Sequence, residues 1–329
     1  MRAPRPNGAP VLAGVDIGTL TCRLLIAEVH AQGRLTEVES DRRILRLGEG
    51  LEQSGRLQPE PMARVIATLR DWQRRIETHR VAGHIIVATS AVRRAGNQGE
   101  FLDRVKRETG LEVEVITGDE EARRTLLGIR SGLPSDVSSC VVLDIGGGST
   151  EFMLDRPGAP PVLHSLELGV IRLTERLLRH DPPTADEVAA ARDQSRRAAM
   201  AARARLGDLS GTTFVGTAGT ITTLAAMAQQ LPLYEPARIH HYALKLATVQ
   251  KLERALLSRT KAQRRGMPGL EVGREDVIFA GVLILRTVME TLGYRDCLVS
   301  DLGLREGILI DLARRITERR SPGLGSPNV

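Results

Sequence analysis

The chain has 329 residues, 42% of them hydrophobic, and a formal charge of +6. The length suffices for two cores of ordinary size, and no run of about 18 apolar residues occurs, which excludes a membrane-spanning helix. The basic balance favours an anionic partner, while aromatic residues at 2% supply few platforms for stacked bases, so a phosphate-rich small molecule or polymer suits the chain better than nucleic acid.

Residues 1–10 lead into Val11 to Val15 and then Asp16, which interrupts any signal-peptide core and predicts a cytoplasmic protein. Cys22, Cys140 and Cys297 each lie in or beside an apolar run, and none belongs to a Cys-x-x-Cys pair; buried free thiols are expected. A first strand, Val11 to Ile17, is followed by a Gly turn, a second strand at Leu24 to Val29, the turn Ala31 to Arg34 and a third strand ending near Leu45: an antiparallel meander. A helix begins near Pro61, with Met62, Val65, Ile66, Leu69 and Ile76 at helical spacing on one face. After a strand at Ile85 to Ala88, the spacing predicts a helix capped by Asn97 with Glu100, stopped by Gly110 and followed by the strand Glu112 to Ile116.

The pattern then restarts with a strand at Cys140 to Ile145, a Gly turn and a strand at Glu151 to Leu154, before helices, a short strand at Thr213 to Val215, and more helices. Each half carries a strand ending in Asp-x-Gly, at Asp16-Ile17-Gly18 and Asp144-Ile145-Gly146, followed by hydroxyl residues and another strand. The chain reads as an internal duplication with two phosphate loops facing each other. Residues 319–329 hold little to bury and are expected to fray.

The segment Asp144 to Glu151 places Gly146, Gly147, Gly148 and Ser149 where successive N–H groups can form an anion-binding nest. A Gly-rich run by itself also suits an ordinary hairpin; the flanking Asp144 and Glu151 weigh against that, because carboxylates beside phosphate are unfavourable without a hard cation. No Lys-Ser/Thr follows the glycines, and the turn enters a strand rather than a helix, so neither a P-loop nor a dinucleotide fingerprint is present. In the upstream copy, Asp16, Gly18, Thr19, Thr21 and Arg23 can contact phosphate, with Arg23 able to fork onto its oxygens, although this segment by itself also suits an ordinary hairpin. Arg93 follows the strand ending at Ala88, at the end of a sheet where ligands collect in open α/β folds. Gly216 and Thr217 lie in a second strand-to-helix turn that can attract anions or simply close. In Asp119-Glu120-Glu121, acids in a first helical turn serve as dipole caps; hydrolysis of an anhydride also needs a base for water, and Glu121 is the candidate. The pair His240-His241 lacks the spacing for two ligands on one helix face.

Six stretches, Ala88 to Arg93, Gly118 to Arg123, Asp144 to Glu151, Leu168 to Glu175, Gly216 to Thr220 and Ser300 to Gly307, together resemble the exopolyphosphatase and guanosine-pentaphosphate phosphatase (Ppx/GppA) family in its short, two-domain form. The resemblance runs from about Val11 to Leu312. It implies an α/β fold of two actin-like (ribonuclease H-like) domains, of the actin, sugar-kinase and heat-shock-protein superfamily, around an interdomain cleft. The division expected is 11–126, joined by a C-terminal helix at 303–318, and 127–302. It further implies Glu121 as general base, Asp144 and Glu151 holding Mg2+ or Mn2+, Gly146 to Ser149 cradling phosphate and Arg93 on the phosphoryl group attacked. The expected activity is release of terminal orthophosphate from inorganic polyphosphate, with guanosine pentaphosphate as the alternative substrate, non-hydrolytic binding of either as a second alternative, and pairing into a homodimer conceivable. The family's first loop usually carries Asn after the hydroxyl residue; this chain has Leu20, which offers neither donor nor acceptor.

Overall fold

Every residue of β1 (Val11–Ile17) after Val11 is buried, and it pairs antiparallel with β2 (Thr21–Val29), which pairs with β3 (Leu35–Ile44), giving the expected meander in a computed structural model that describes residues 9–320. The short helix α1 (Leu51–Ser54) leads to α2 (Pro59–His79), whose prolines occupy the first turn, where a missing N–H costs nothing. Its buried stripe, Met62, Val65, Ile66, Leu69, Trp72 and Ile76, covers one face of the sheet. Then follow β4 (Gly83–Ala88), α3 (Ser90–Arg94), α4 (Gln98–Thr109), β5 (Val113–Val115) and α5 (Gly118–Arg130). Asn97 precedes α4 but does not cap it. Its amide instead grips Leu57, accepting from the backbone N–H at 2.8 Å and donating to the carbonyl at 3.1 Å, so a loop forty residues away outcompeted the local cap. Gly110 ends α4 at φ 72°, as its sequence position predicts.

The second half runs through β6 (Cys140–Ile145), β7 (Thr150–Asp155), β8 (Val162–Leu166), α6 (Val170–Leu177), α7 (Ala185–Leu206), β9 (Thr213–Thr217), α8 (Ala218–Ala228), α9 (Pro236–Ile239) and β10 (Ala243–Lys245). It continues through α10 (Leu246–Leu257), α11 (Lys261–Arg264), α12 (Ile278–Leu292), β11 (Asp296–Val299) and α13 (Leu304–Arg320). Arg319 and Arg320 thus close a helix, while the rest of the tail expected to fray, 321–329, lies outside the described residues.

Strand order reveals the duplication. The first sheet is ordered β3-β2-β1-β4-β5 and the second β8-β7-β6-β9-β11, with β10 added beyond β11. Within each, the first three strands are antiparallel and the next two parallel to the first. The molecule is an α/β protein of two mixed sheets with the actin-like order in both. The last helix returns to the first sheet: Ile308, Leu309, Leu312 and Ile316 of α13 pack on β1, β2 and β4. Ala122, Leu126 and Ile129 of α5 cover β6, β7 and β9 of the second. The two helices touch almost backbone to backbone, since a Cβ on Gly128 would lie 1.9 Å from the Gly303 carbonyl oxygen and one on Gly307 1.7 Å from that of Arg124. The three cysteines are free and buried, and no described helix is long and apolar enough to cross a membrane.

Candidate active site

The two Asp-x-Gly turns have the same geometry. Gly18 donates its N–H to the Thr21 carbonyl at 3.1 Å and Gly146 to the Ser149 carbonyl at 3.0 Å. Asp16 faces Arg23 across the β1–β2 ladder just as Asp144 faces Glu151 across β6–β7. One copy of the device therefore carries a cation where the other carries a second carboxylate. The turns meet head on: a Cβ on Gly147 would lie 2.9 Å from Thr19 Cβ, and one on Gly148 2.7 Å from Ser90 Oγ and 2.8 Å from Thr19 Oγ1. Only residues without side chains fit there. The carbonyls of Gly146 and Gly147 accept from Val170 and Ile171 at the start of α6. The amides of Gly147, Gly148 and Ser149 are left without a protein acceptor among the described residues.

One crevice collects Asp16, Gly18, Thr19, Thr21 and Arg23 from the first turn and Asp144 and Gly146 to Ser149 from the second. Glu121 enters from the first turn of α5, and Thr217 from the end of β9. Glu151 stands behind Asp144, 1% exposed, its Oε1 accepting from Ser165 Oγ at 2.8 Å. Arg93 stands behind Glu121, donating from Nη1 to Glu121 Oε2 at 3.2 Å and to the Ile116 carbonyl at 2.8 Å. Gly216 does not reach the crevice: a Cβ there would meet Cys297 Sγ at 2.6 Å and Ile221 at 2.7 Å, so its bareness serves packing. The Thr217 hydroxyl is already committed to the Leu302 carbonyl at 2.8 Å. His240 and His241 lie against each other with their rings tilted by 31° and bond to Asp301 N–H and the Gly132 carbonyl respectively.

Burial of this much negative charge perturbs every acid involved. Burial pushes Asp16 up to about 6 against the pull of Arg23, and Asp144 likewise to about 6. Burial, then Asp144, pushes Glu151 to about 8. Glu121 is held well above the ordinary carboxylate range by burial and by Glu151, with Arg93 opposing. Asp16 Oδ1 is buried without a hydrogen-bond partner. All-oxygen donors with an orphaned carboxylate oxygen fit a hard divalent cation. Among the described residues no three His, Cys, Asp or Glu side chains form a ready-made metal cage; Mg2+ does not require one, because it is commonly held by one or two carboxylates together with phosphate oxygens and water.

Several residues of the site escaped the sequence reading. Thr89 lines the crevice at the end of β4, the place Thr217 holds at the end of β9, so the duplication itself could have pointed to it. Arg274, 3% exposed, reaches Thr21 Oγ1 at 3.3 Å from a loop 253 positions away, and Ser165 lies on a strand that was not foreseen; neither carries a local signal.

The family model described as "Ppx/GppA phosphatase family" matches residues 25–316. Exopolyphosphatase 2 of Mycobacterium tuberculosis is 36% identical over 316 residues, 92% of this chain and 98% of that protein. Exopolyphosphatase 1 of Mycobacterium leprae is 31% identical over 307 residues, 91% and 88% of the two chains. Among solved structures, an exopolyphosphatase-like protein superposes with a TM-score of 0.87 at 30% identity, covering 94% of this chain and 99% of that one. The Aquifex aeolicus Ppx/GppA family member gives 0.79 at 34% identity, covering 95% and 99%. With the duplicated sheets and facing glycine turns already in place, the match along nearly the whole length shows that the chain is an enzyme of the Ppx/GppA phosphatase family.

Proposed function

We propose that the enzyme releases the terminal orthophosphate of inorganic polyphosphate by direct attack of water, with Glu121 as the base. The supporting observation is the position of Glu121, which lines the same crevice as Asp144 and the Gly146 to Ser149 cradle and is held there by Arg93. The free amides of Gly147, Gly148 and Ser149 bind the phosphoryl oxygens, and Arg23 and Arg93 offset their charge. Asp144 and Glu151 would hold Mg2+, which when bound neutralises charge on the phosphate oxygens. Glu121 orients the water, the water oxygen forms the new bond to the terminal phosphorus, the bridging P–O bond breaks toward the remaining chain, and Glu121 keeps the water's proton. Arg93, anchored on the Ile116 carbonyl, fixes the carboxylate oxygen it touches.

The relatives named exopolyphosphatase favour polyphosphate as the substrate. A guanosine polyphosphate is the second reading. It is favoured by a cavity of about 480 Å3 that shares Arg23 with the crevice and presents Tyr234, with the Arg42 guanidinium 4.7 Å from its ring centroid. Orthophosphate release from a polyphosphate length series and from guanosine pentaphosphate, each with wild type and Glu121→Gln, tests both readings. The substitution is expected to cost about 10²–10⁴-fold in kcat with folding unchanged. Near-normal turnover removes Glu121 from the mechanism, and the preferred substrate decides between the readings.

A further inference from the structure

Leu20 lies at the tip of the β1–β2 turn, yet its side chain does not join the core of the first half. It is 4% exposed and belongs to the apolar cluster of the second half, the one containing Val141, Leu143, Ile145 and Val170. Among the described residues, it is the single fully buried apolar residue before β6 in that cluster, with Ile44 packed at its margin. Its backbone is held from the opposite side, where the Leu20 carbonyl accepts from Leu45 and Arg46 N–H at 3.0 and 2.9 Å. A Cβ on Gly147 would lie 3.0 Å from Leu20 N and 3.2 Å from Leu20 Cβ, so the two phosphate turns are in contact at this residue. Polar ties surround it: Arg46 donates to the Gly273 carbonyl at 3.0 Å and pairs with Asp276, and Arg274 donates to Thr21 Oγ1 at 3.3 Å.

Separating the two halves would withdraw Leu20 from an apolar core into water, a cost proportional to the area exposed. The polar ties would largely exchange protein partners for water and so resist opening less. We infer that Leu20 is a positioning residue: an apolar plug that seats the first phosphate turn against the second before substrate arrives. Part of the free energy for bringing Arg23 and Thr19 opposite the Gly146 to Ser149 cradle then comes from the protein, and the ligand is spared that share of the ordering cost. The kinetic consequence rests on the hydrolytic reading above; the conformational one does not.

Leu20→Ala removes most of the apolar side chain from the core and adds no hydrogen-bonding group to the turn. Solution scattering of the full chain without ligand is expected to give a larger radius of gyration for this variant, and its polyphosphate KM to rise about tenfold with kcat within about twofold. Leu20→Met, which restores apolar volume, is expected to recover both. Leu283→Ala, which opens a cavity in the same core away from the turns, controls for lost stability and is expected to leave KM alone. Should Leu20→Ala not fold, Leu20→Val gives a smaller shift in the same direction. A wild-type scattering profile and KM for the Leu20 variants, or an equal rise in KM for the control, overturns the inference. If wild type hydrolyses no polyphosphate, the function fails and the scattering comparison alone decides the role of Leu20.

Discussion

Glu120 and Glu121 are neighbours in the first turn of α5, pointing about 100° apart around its axis, and that rotation gives them different work. Glu121 turns to the crevice, whereas Glu120 accepts from Arg123 at 2.7 and 2.8 Å and from Arg124 at 2.6 Å. The hydrogen bonds from Arg123, then the charge of Arg124, hold Glu120 down to about 2 against partial burial. A depressed carboxylate stabilises the fold above its unfolded value near 4.5, and the contribution is lost as pH falls toward 2. Glu120→Gln is therefore expected to lower the denaturation midpoint at pH 7, with the gap to wild type closing between about pH 4.5 and 2. A gap that is constant with pH would show that the ion pairs contribute nothing. The sequence places both acids in one turn, where dipole capping and catalysis are equally served; which acid faces which wall depends on how α5 is rotated against β8 and α13, and that is a matter of packing.

At the level of elements, α5 and α13 cross through Gly128 and Gly307 with no room for a methyl group on either. Gly307→Ala forces its Cβ onto the Arg124 carbonyl, and overpacking of this kind costs about 3 kcal/mol; urea denaturation of the variant measures it. An unchanged midpoint would mean that the helices can slide apart freely. The buried Arg124, paired with Glu114, Glu120 and Asp311, fastens the same crossing. The main strands of both halves were legible because β1, β2, β6 and β7 carry apolar runs that flank the two glycine turns. β8, β10 and β11 were not: β8 is only half buried throughout, and β10 and β11 have three and four residues, too few for any period to register. The missing cap at Asn97 has a similar cause, because the local pattern was correct and a distant loop made the better bond.

For the whole molecule, the halves are joined around the crevice by Leu20 and by ion pairs from one half to the other, Arg42 with Glu271, Arg46 with Asp276 and Arg172 with Glu52. A ligand that bridges both turns binds the native arrangement and not the unfolded chain, so Mg2+ and polyphosphate together are expected to raise the melting temperature. The gain in stability is about 2.7 kcal/mol at a hundred times the dissociation constant. Scanning calorimetry with and without a chelator measures it, the shift should shrink with added salt, and no shift in low salt would argue against binding between the turns. The sequence alone determined the duplication, the two glycine turns, the acids beside them and the family, because each is written in contiguous residues whose backbone demands are local. Only the tertiary structure decided that Gly216 packs behind the wall, that Arg274 lines the crevice and Ser165 bonds to Glu151, and that Leu20 crosses into the other core. Those outcomes depend on which surfaces pack together, from Ser165 at 14 positions from Glu151 to Arg274 at 253 positions from Thr21, and no local spacing encodes which side chain such a surface will receive.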